Sequence, residues 1–257
     1  MINNVVLLHG WGLNKAVWGQ YLEALEGRFP QINFYLLDIP GYGGLSTQDS
    51  SSDIKKLALA CLDQAPEQAL WVGWSLGGMI AMQAALLDVE QNQQRVQGLQ
   101  IINAAPKFVA SDDWPSGVDI TMFEKFSNAL ANDYERSLTS FLLLQAGASD
   151  GARQLARDTQ KTIAEYPNPT ALTLSQGIEC LASVDLRNEL SKLTLPVQVV
   201  SGALDRVTMP ASSRALADML SASLFEIHSG HAPFLTHVTE MLDQFELFLS
   251  SISENDE

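Results

Sequence analysis

The chain is short of positive charge: 15 Lys and Arg stand against 30 Asp and Glu in 257 residues, a formal net charge of −15. So acidic a surface repels phosphate backbones and anionic lipid headgroups, which argues against general nucleic-acid and anionic-membrane binding. Cysteine is scarce as well. Cys61 and Cys180 have no metal-ligand spacing and make no disulfide framework, and Cys61 falls on the apolar face of a predicted helix, as a core residue. No apolar run approaches the roughly 20 residues of a transmembrane helix. Residues 1–4 pass straight into a strand-like segment, with no basic stretch or cleavage site of a secretory leader. Internal repeats and low-complexity tracts are also missing. The expectation is a cytoplasmic monomer that neither enters a membrane nor binds nucleic acid.

What is present is an alternation of apolar segments. With 46% hydrophobic and 18% charged residues, there is material for one large domain with a full core, or for a domain carrying a sizeable insertion. Residues 4–9, 34–39, 98–103, 195–201 and 223–228 read as strands, the first two as strands buried on both faces. Helical spacing appears at Val17, Trp18, Tyr21, Leu22 and Leu25, again at Ile54, Leu57, Ala58, Cys61 and Leu62, and from Val238 to Ile252. From residue 108 to residue 185 four helical patterns follow one another without a strand: 122–130, 134–145, 152–166 and 170–181. The fold class is therefore α/β, a mostly parallel central sheet covered by helices. Residues 1–107 and 186–257 make this core, and 108–185 are inserted as a helical lid. In such sheets ligands bind outside the carboxyl ends of the strands.

One pentad organises the rest. Gly73-Trp74-Ser75-Leu76-Gly77 follows the β-prone run Leu70-Trp71-Val72 and precedes a helix-like run from Leu76 to Leu87. At average glycine frequency a Gly-x-Ser-x-Gly pentad arises by chance in about one chain in ten of this size, so the strand before it and the helix after it carry the assignment. In that setting the motif is a nucleophile elbow. Gly73 and Gly77 make room for a tight turn, and Ser75 sits at a helix N-terminus that favours an anionic intermediate.

A serine nucleophile needs a base within hydrogen-bond reach and a group to orient that base. Of four histidines, His9 ends the first strand and reads as structural, His228 lies in a strand pattern as a packed residue, and His237 opens the last helix. His231, in Ser229-Gly230-His231-Ala232-Pro233-Phe234, follows the last strand and is the candidate base, against the alternative of an ordinary loop histidine. Asp205, just past the strand 195–201, is the candidate acid; it could instead only cap its own turn. The strand ending at Asn103 offers no carboxylate, and Asp38 precedes the serine in another loop. The Leu76 amide, directly after the nucleophile, and the Trp11 amide in His9-Gly10-Trp11-Gly12 are the candidate oxyanion donors. Trp11 as a mere core aromatic is the alternative. No metal or organic cofactor is called for.

These landmarks, with Asp38-Ile-Pro-Gly-Tyr-Gly43 and Gly202-Ala-Leu-Asp205, resemble those of the α/β-hydrolase superfamily along nearly the whole chain. More narrowly, Leu7-Leu-His-Gly-Trp-Gly-Leu-Asn14, Phe141-Leu-Leu-Leu-Gln145, Val184-Asp-Leu-Arg187 and His231-Ala-Pro-Phe234 resemble the pimeloyl-[acyl-carrier protein] methyl ester esterases of biotin synthesis. The resemblance implies a serine carboxylesterase with Ser75, Asp205 and His231 as its catalytic triad. It implies substrate contacts from Trp11, Ser75, Leu76, His231 and the lid residues Phe141, Leu142, Leu143, Leu144 and Gln145. It also implies an acyl carrier protein as the partner bearing the substrate, docked by Arg136, Arg153 and Arg157. Where that family carries an arginine directly before the lid phenylalanine, this chain has Ser140. Between Arg136 and Lys161 there are four basic residues and two acidic ones, Asp150 and Asp158. That local excess suits an acidic partner, though a solvated helix face explains it equally well. Two other readings stay open for the same triad: a general short-chain carboxylesterase, and a C–C hydrolase or lyase. Phe123 and Phe126 are further candidates for an acyl channel, or for packing of the lid.

Overall fold

The computed structural model describes residues 2–146 and 152–254. Its centre is a six-stranded sheet: β1 (Asn4–Leu8), β2 (Asn33–Leu37), β3 (Ala69–Trp74), β4 (Val96–Ile102), β5 (Val197–Gly202) and β6 (Ser223–Ile227). They lie in the order β2-β1-β3-β4-β5-β6, and every pairing is parallel. The alternation of side chains along a strand sorts the core into two layers. Val6, Leu8 and Trp71 face one layer, with α2 (Ile54–Gln64), α3 (Leu76–Gln91) and α8 (Pro210–Leu220) packed on it. Val5, Leu7, Leu70, Val72 and Trp74 face the other, beneath α1 (Gly19–Arg28) and α10 (Val238–Glu254). The central helix α3 is buried from Leu76 to Asp88, which is why its sequence is apolar all round.

Four helices, α4 (Ile120–Asn132), α5 (Tyr134–Ala146), α6 (Ala152–Ile163) and α7 (Ala171–Ser183), stand between β4 and β5 in the chain. The segments that lead in and out of them meet at an antiparallel bridge between Lys107 and Asp185. Charged groups reinforce that neck. Arg187 pairs with Asp113 and with Asp185 at 2.7 Å each, and Lys107 lies 3.6 Å from both carboxylates. The Arg187 guanidinium also stacks over the Trp114 ring at 5.4 Å. α7 contributes Leu174, Cys180 and Leu181 to the first core layer. α5 and α6 contribute Leu138, Phe141, Leu142, Ala156 and Ile163 to the second. α7 is thus seated on one core layer, and α5 and α6 on the other.

Two expectations need correcting. His228 is not packed within a strand: β6 ends at Ile227, and His228 is exposed just beyond it. The loop after His231 contains a short helix, α9 (Pro233–Thr236), which closes before α10 begins at Val238. Its proline sits at the first helical position, where the missing N–H costs nothing.

Candidate active site

Ser75 follows β3, Asp205 follows β5 and His231 follows β6, so parallel strands deliver all three to one edge of the sheet. Ser75 adopts φ 56° and ψ −121°, outside the regions that side-chain-bearing residues prefer. The turn is held by what surrounds it. The Ser75 N–H donates to Ile102 O at 3.0 Å, and Ser75 O accepts from the Gly78 and Met79 amides at 2.9 and 3.2 Å. A Cβ on Gly73 would stand 2.6 Å from Gly77 O, and one on Gly77 would strike the Leu8 and His9 carbonyls. Neither position accepts a side chain, which is the physical reason for both glycines of the pentad.

Asp205 is 3% exposed and uses both carboxylate oxygens. Oδ1 accepts from the Val207 and Thr208 amides at 2.7 and 3.1 Å, while Oδ2 accepts from His231 Nδ1 at 2.7 Å. With Nδ1 committed as donor, the neutral imidazole presents Nε2 as an acceptor. That atom is buried and has no hydrogen-bond partner. The ring rests on Trp74, centroids 5.3 Å apart, and the Trp74 indole N–H donates to His231 O at 2.7 Å. Trp74 is the residue directly before Ser75, so one side chain joins the elbow to the histidine loop. Behind it, Trp18, Tyr21 and Phe234 form an aromatic stack, with Trp18 and Phe234 centroids 4.2 Å apart.

The Leu76 amide is the first of α3, at a position with no acceptor earlier in the helix. Trp11 lies in the loop after β1, its indole N–H donating to Leu174 O of α7 at 3.0 Å. Two further ties, invisible in the sequence, hold the same loop to the inserted helices. Tyr134 Oη, on α5, donates to Gly12 O at 2.8 Å, and Asn14 Nδ2 donates to Ile163 O of α6 at 3.0 Å. Three of the four inserted helices therefore hang on residues 11–14. His9 is structural, as expected: it is fully buried, and both ring nitrogens are bonded to backbone. Asp38 is committed to the Lys15 and Gly44 amides at 2.8 and 2.9 Å, away from Ser75's loop.

Of the lid residues singled out by sequence, Phe141 and Leu142 are buried in the same core layer as Trp74 and Phe234. Leu143 is exposed. Leu144 and Gln145 lie on α5, and Phe123 and Phe126 on α4, with side chains outside the described residues. Arg136 is exposed on α5, and Arg153 and Arg157 on α6. α6 is two-faced: Ala156, Thr159 and Ile163 are buried, while Arg153, Arg157 and Lys161, spaced four apart, share the solvent face. Burial pushes the thiols of Cys61 and Cys180 up to about 12, which keeps both protonated. Among the described residues, no group of three or more His, Cys, Asp or Glu is placed to hold a metal, and no helix is long and apolar enough to cross a membrane.

A serine at a strand–helix elbow, with a histidine held by a buried aspartate at the same edge of the sheet, is the arrangement expected of a hydrolase built on this sheet. The chain belongs to the alpha/beta hydrolase family, whose sequence profile matches residues 5–244. It is 35% identical over 254 residues, 96% of this chain and 94% of the relative, to the pimeloyl-[acyl-carrier protein] methyl ester esterase of Serratia marcescens. To the protein of the same name from Edwardsiella ictaluri (strain 93-146) it is 39% identical over 237 residues, 91% of this chain and 88% of the relative. Among solved structures, a bromoperoxidase from Bacillus anthracis superposes with a TM-score of 0.84 at 22% identity, covering 97% of this chain and 92% of the other. That likeness speaks for the fold alone.

Proposed function

We propose that the chain is a serine carboxylesterase that hydrolyses the methyl ester of a pimeloyl group borne on acyl carrier protein, releasing methanol in biotin biosynthesis. The relatives of that name, matched over nine-tenths of the chain, support the substrate. The observation that carries the chemistry is the buried His231–Asp205 hydrogen bond of 2.7 Å, which leaves His231 Nε2 unpartnered at the edge where the elbow presents Ser75.

In this reading His231 Nε2 takes the Ser75 proton as Oγ attacks the ester carbonyl carbon. The amides of Leu76 and Trp11 hold the oxyanion. Collapse of the intermediate breaks the bond to the methoxy oxygen, which leaves as methanol with the proton from His231. Water, deprotonated by the same nitrogen, then cleaves the acyl-enzyme. The free carboxylate departs and Ser75 regains its hydrogen. Asp205 holds Nδ1–H and offsets the charge of the imidazolium. Residues 108–185 act as a lid. Phe141 to Gln145 supply its acyl contacts, and Arg136, Arg153 and Arg157 supply its face toward the carrier protein.

The test is methanol release from pimeloyl-carrier-protein methyl ester by wild type and Ser75→Ala. Wild type turns over, and the variant loses about 10⁴-fold or more in kcat while unfolding at the same temperature. Turnover surviving the change removes Ser75 from its role. A wild type that cleaves only simple aryl esters keeps the chemistry and discards the substrate.

A further inference from the structure

Asn103 directly follows β4, the strand between those that lead to Ser75 and to Asp205. It is fully buried and sits in the left-handed region at φ 43°, which asparagine tolerates better than most residues. Its side chain is completely engaged. Oδ1 accepts the Gly202 N–H at 2.7 Å, and Nδ2 donates to Gly230 O at 3.2 Å and to His231 O at 2.7 Å. An amide N–H on one side and two carbonyls on the other leave the orientation of the carboxamide unambiguous. On the backbone, Asn103 N–H donates to Val200 O at 2.9 Å, and the carbonyl before it, Ile102 O, accepts Ser75 N–H at 3.0 Å.

One carboxamide therefore bridges the loop that carries the acid and the loop that carries the base, from a strand end hydrogen-bonded to the nucleophile. Gly202 and Gly230 flank those loops and have no side chains with which to hold them. The His231 carbonyl is gripped from two directions, by Asn103 Nδ2 and by Trp74 Nε1, each at 2.7 Å. The geometry points to Asn103 as a positioning residue for the His231–Asp205 pair: it sets the height and tilt of the imidazole over Ser75 by clamping the two loops together. This rests on the reading of Ser75, His231 and Asp205 given above. A displacement of about 1 Å at a general base costs about 10²-fold in rate, so loss of the clamp appears in kcat, while KM, set elsewhere, holds.

Two variants separate positioning from space-filling. Asn103→Ala removes the clamp. Asn103→Asp keeps the shape and the acceptor for Gly202 N–H, but turns an oxygen toward the Gly230 and His231 carbonyls. That oxygen donates only when protonated. With a p-nitrophenyl ester, and rates normalised to the sites titrated by a fluorophosphonate, both variants lose about 30- to 100-fold in kcat at neutral pH with KM within about twofold. The ratio of Asn103→Asp to wild type climbs as pH falls and the carboxyl regains a proton, a trend that Asn103→Ala does not share. The low-field proton NMR resonance of His231 Nδ1–H, present in wild type, is lost or broadened in Asn103→Ala.

Variants within about twofold of wild type in kcat, or an unchanged low-field resonance in Asn103→Ala, overturn the assignment. If wild type neither turns over nor is labelled, it is the catalytic reading that fails, and the resonance still decides whether Asn103 holds the pair. If Asn103→Ala does not fold, Asn103→Asp and its pH trend carry the test.

Discussion

His9 lies next to the loop assigned to oxyanion binding, yet it has no proton to trade. Nδ1–H donates to Gly10 O at 2.8 Å and Nε2 accepts from the Ile39 N–H at 3.1 Å, which fixes the neutral tautomer. Burial lowers its pKa below the ordinary value, and the Asp38 carboxylate only partly opposes the shift. The unfolded chain binds a proton here below about pH 6.5, whereas the folded chain does not. Protons therefore favour the unfolded state, and stability falls as pH drops through that value, by up to about 1.4 kcal/mol per pH unit from this one group. His9→Gln removes the titration. Urea midpoints of wild type should fall between about pH 7 and about pH 5, and those of the variant should fall less steeply. Parallel slopes would assign the proton uptake to another group. By the same reasoning the Ser111 hydroxyl and then the Arg187 guanidinium hold the Asp113 carboxyl below its usual range, and the Arg187 guanidinium holds that of Asp185 down. The neck of the insertion is secure at neutral pH and loosens only when acid reaches those carboxylates.

Among the elements, the inserted helices and the loop of residues 11–14 behave as one mechanical unit. Tyr134 reaches from the start of α5 to Gly12 O, Trp11 reaches to α7, and Asn14 reaches to the end of α6. A shift of the helices is thus felt one residue from the Trp11 amide. Tyr134→Phe deletes one tie while keeping the ring, at a cost of about 1 kcal/mol. On a small aryl ester it should lower kcat several-fold more than it raises KM, because the loop it steadies is assigned to the transition state. A change in KM alone would confine Tyr134 to substrate access. These ties also show where sequence reading stops. The elbow is legible because its signature is contiguous, although only Gly73 is needed by atoms within the turn; Gly77 is needed by the Leu8 and His9 carbonyls of the neighbouring strand end. Asp205 and His231 are legible because each directly follows a strand whose apolar pattern is plain. Tyr134, Asn14 and Asn103 act on partners 122, 149 and 99 to 128 residues away, and no periodicity records such pairings. His228 reads as part of β6 because it follows Ile227 without a turn residue between them, whereas the ladder ends at Ile227 itself. The four residues of α9 are too few for a helical period to register.

For the molecule as a whole, the governing quantity is the net charge of −15. An acidic carrier protein approaching such a surface is repelled almost everywhere, so any docking site must be a local exception. The solvent face of α6 is one: Arg153, Arg157 and Lys161 lie along it, and among the described residues none of the three forms an ion pair. Among the described residues, then, these three charges are not spent on ion pairs. Each exposed pair with a carrier carboxylate is worth about 0.2–1 kcal/mol, and salt screens it. Replacing Arg153 and Arg157 together by alanine should therefore raise KM for the carrier-borne ester by about tenfold at low ionic strength, with kcat nearly unchanged. The gap should narrow at about 0.5 M salt, where the Debye length shrinks below the span of the patch. A free p-nitrophenyl ester, which needs no docking, should show no difference between the two proteins. Equal KM values on the carrier-borne ester would move the landing site off α6, and a loss on both esters would mean that the arginines hold the lid itself.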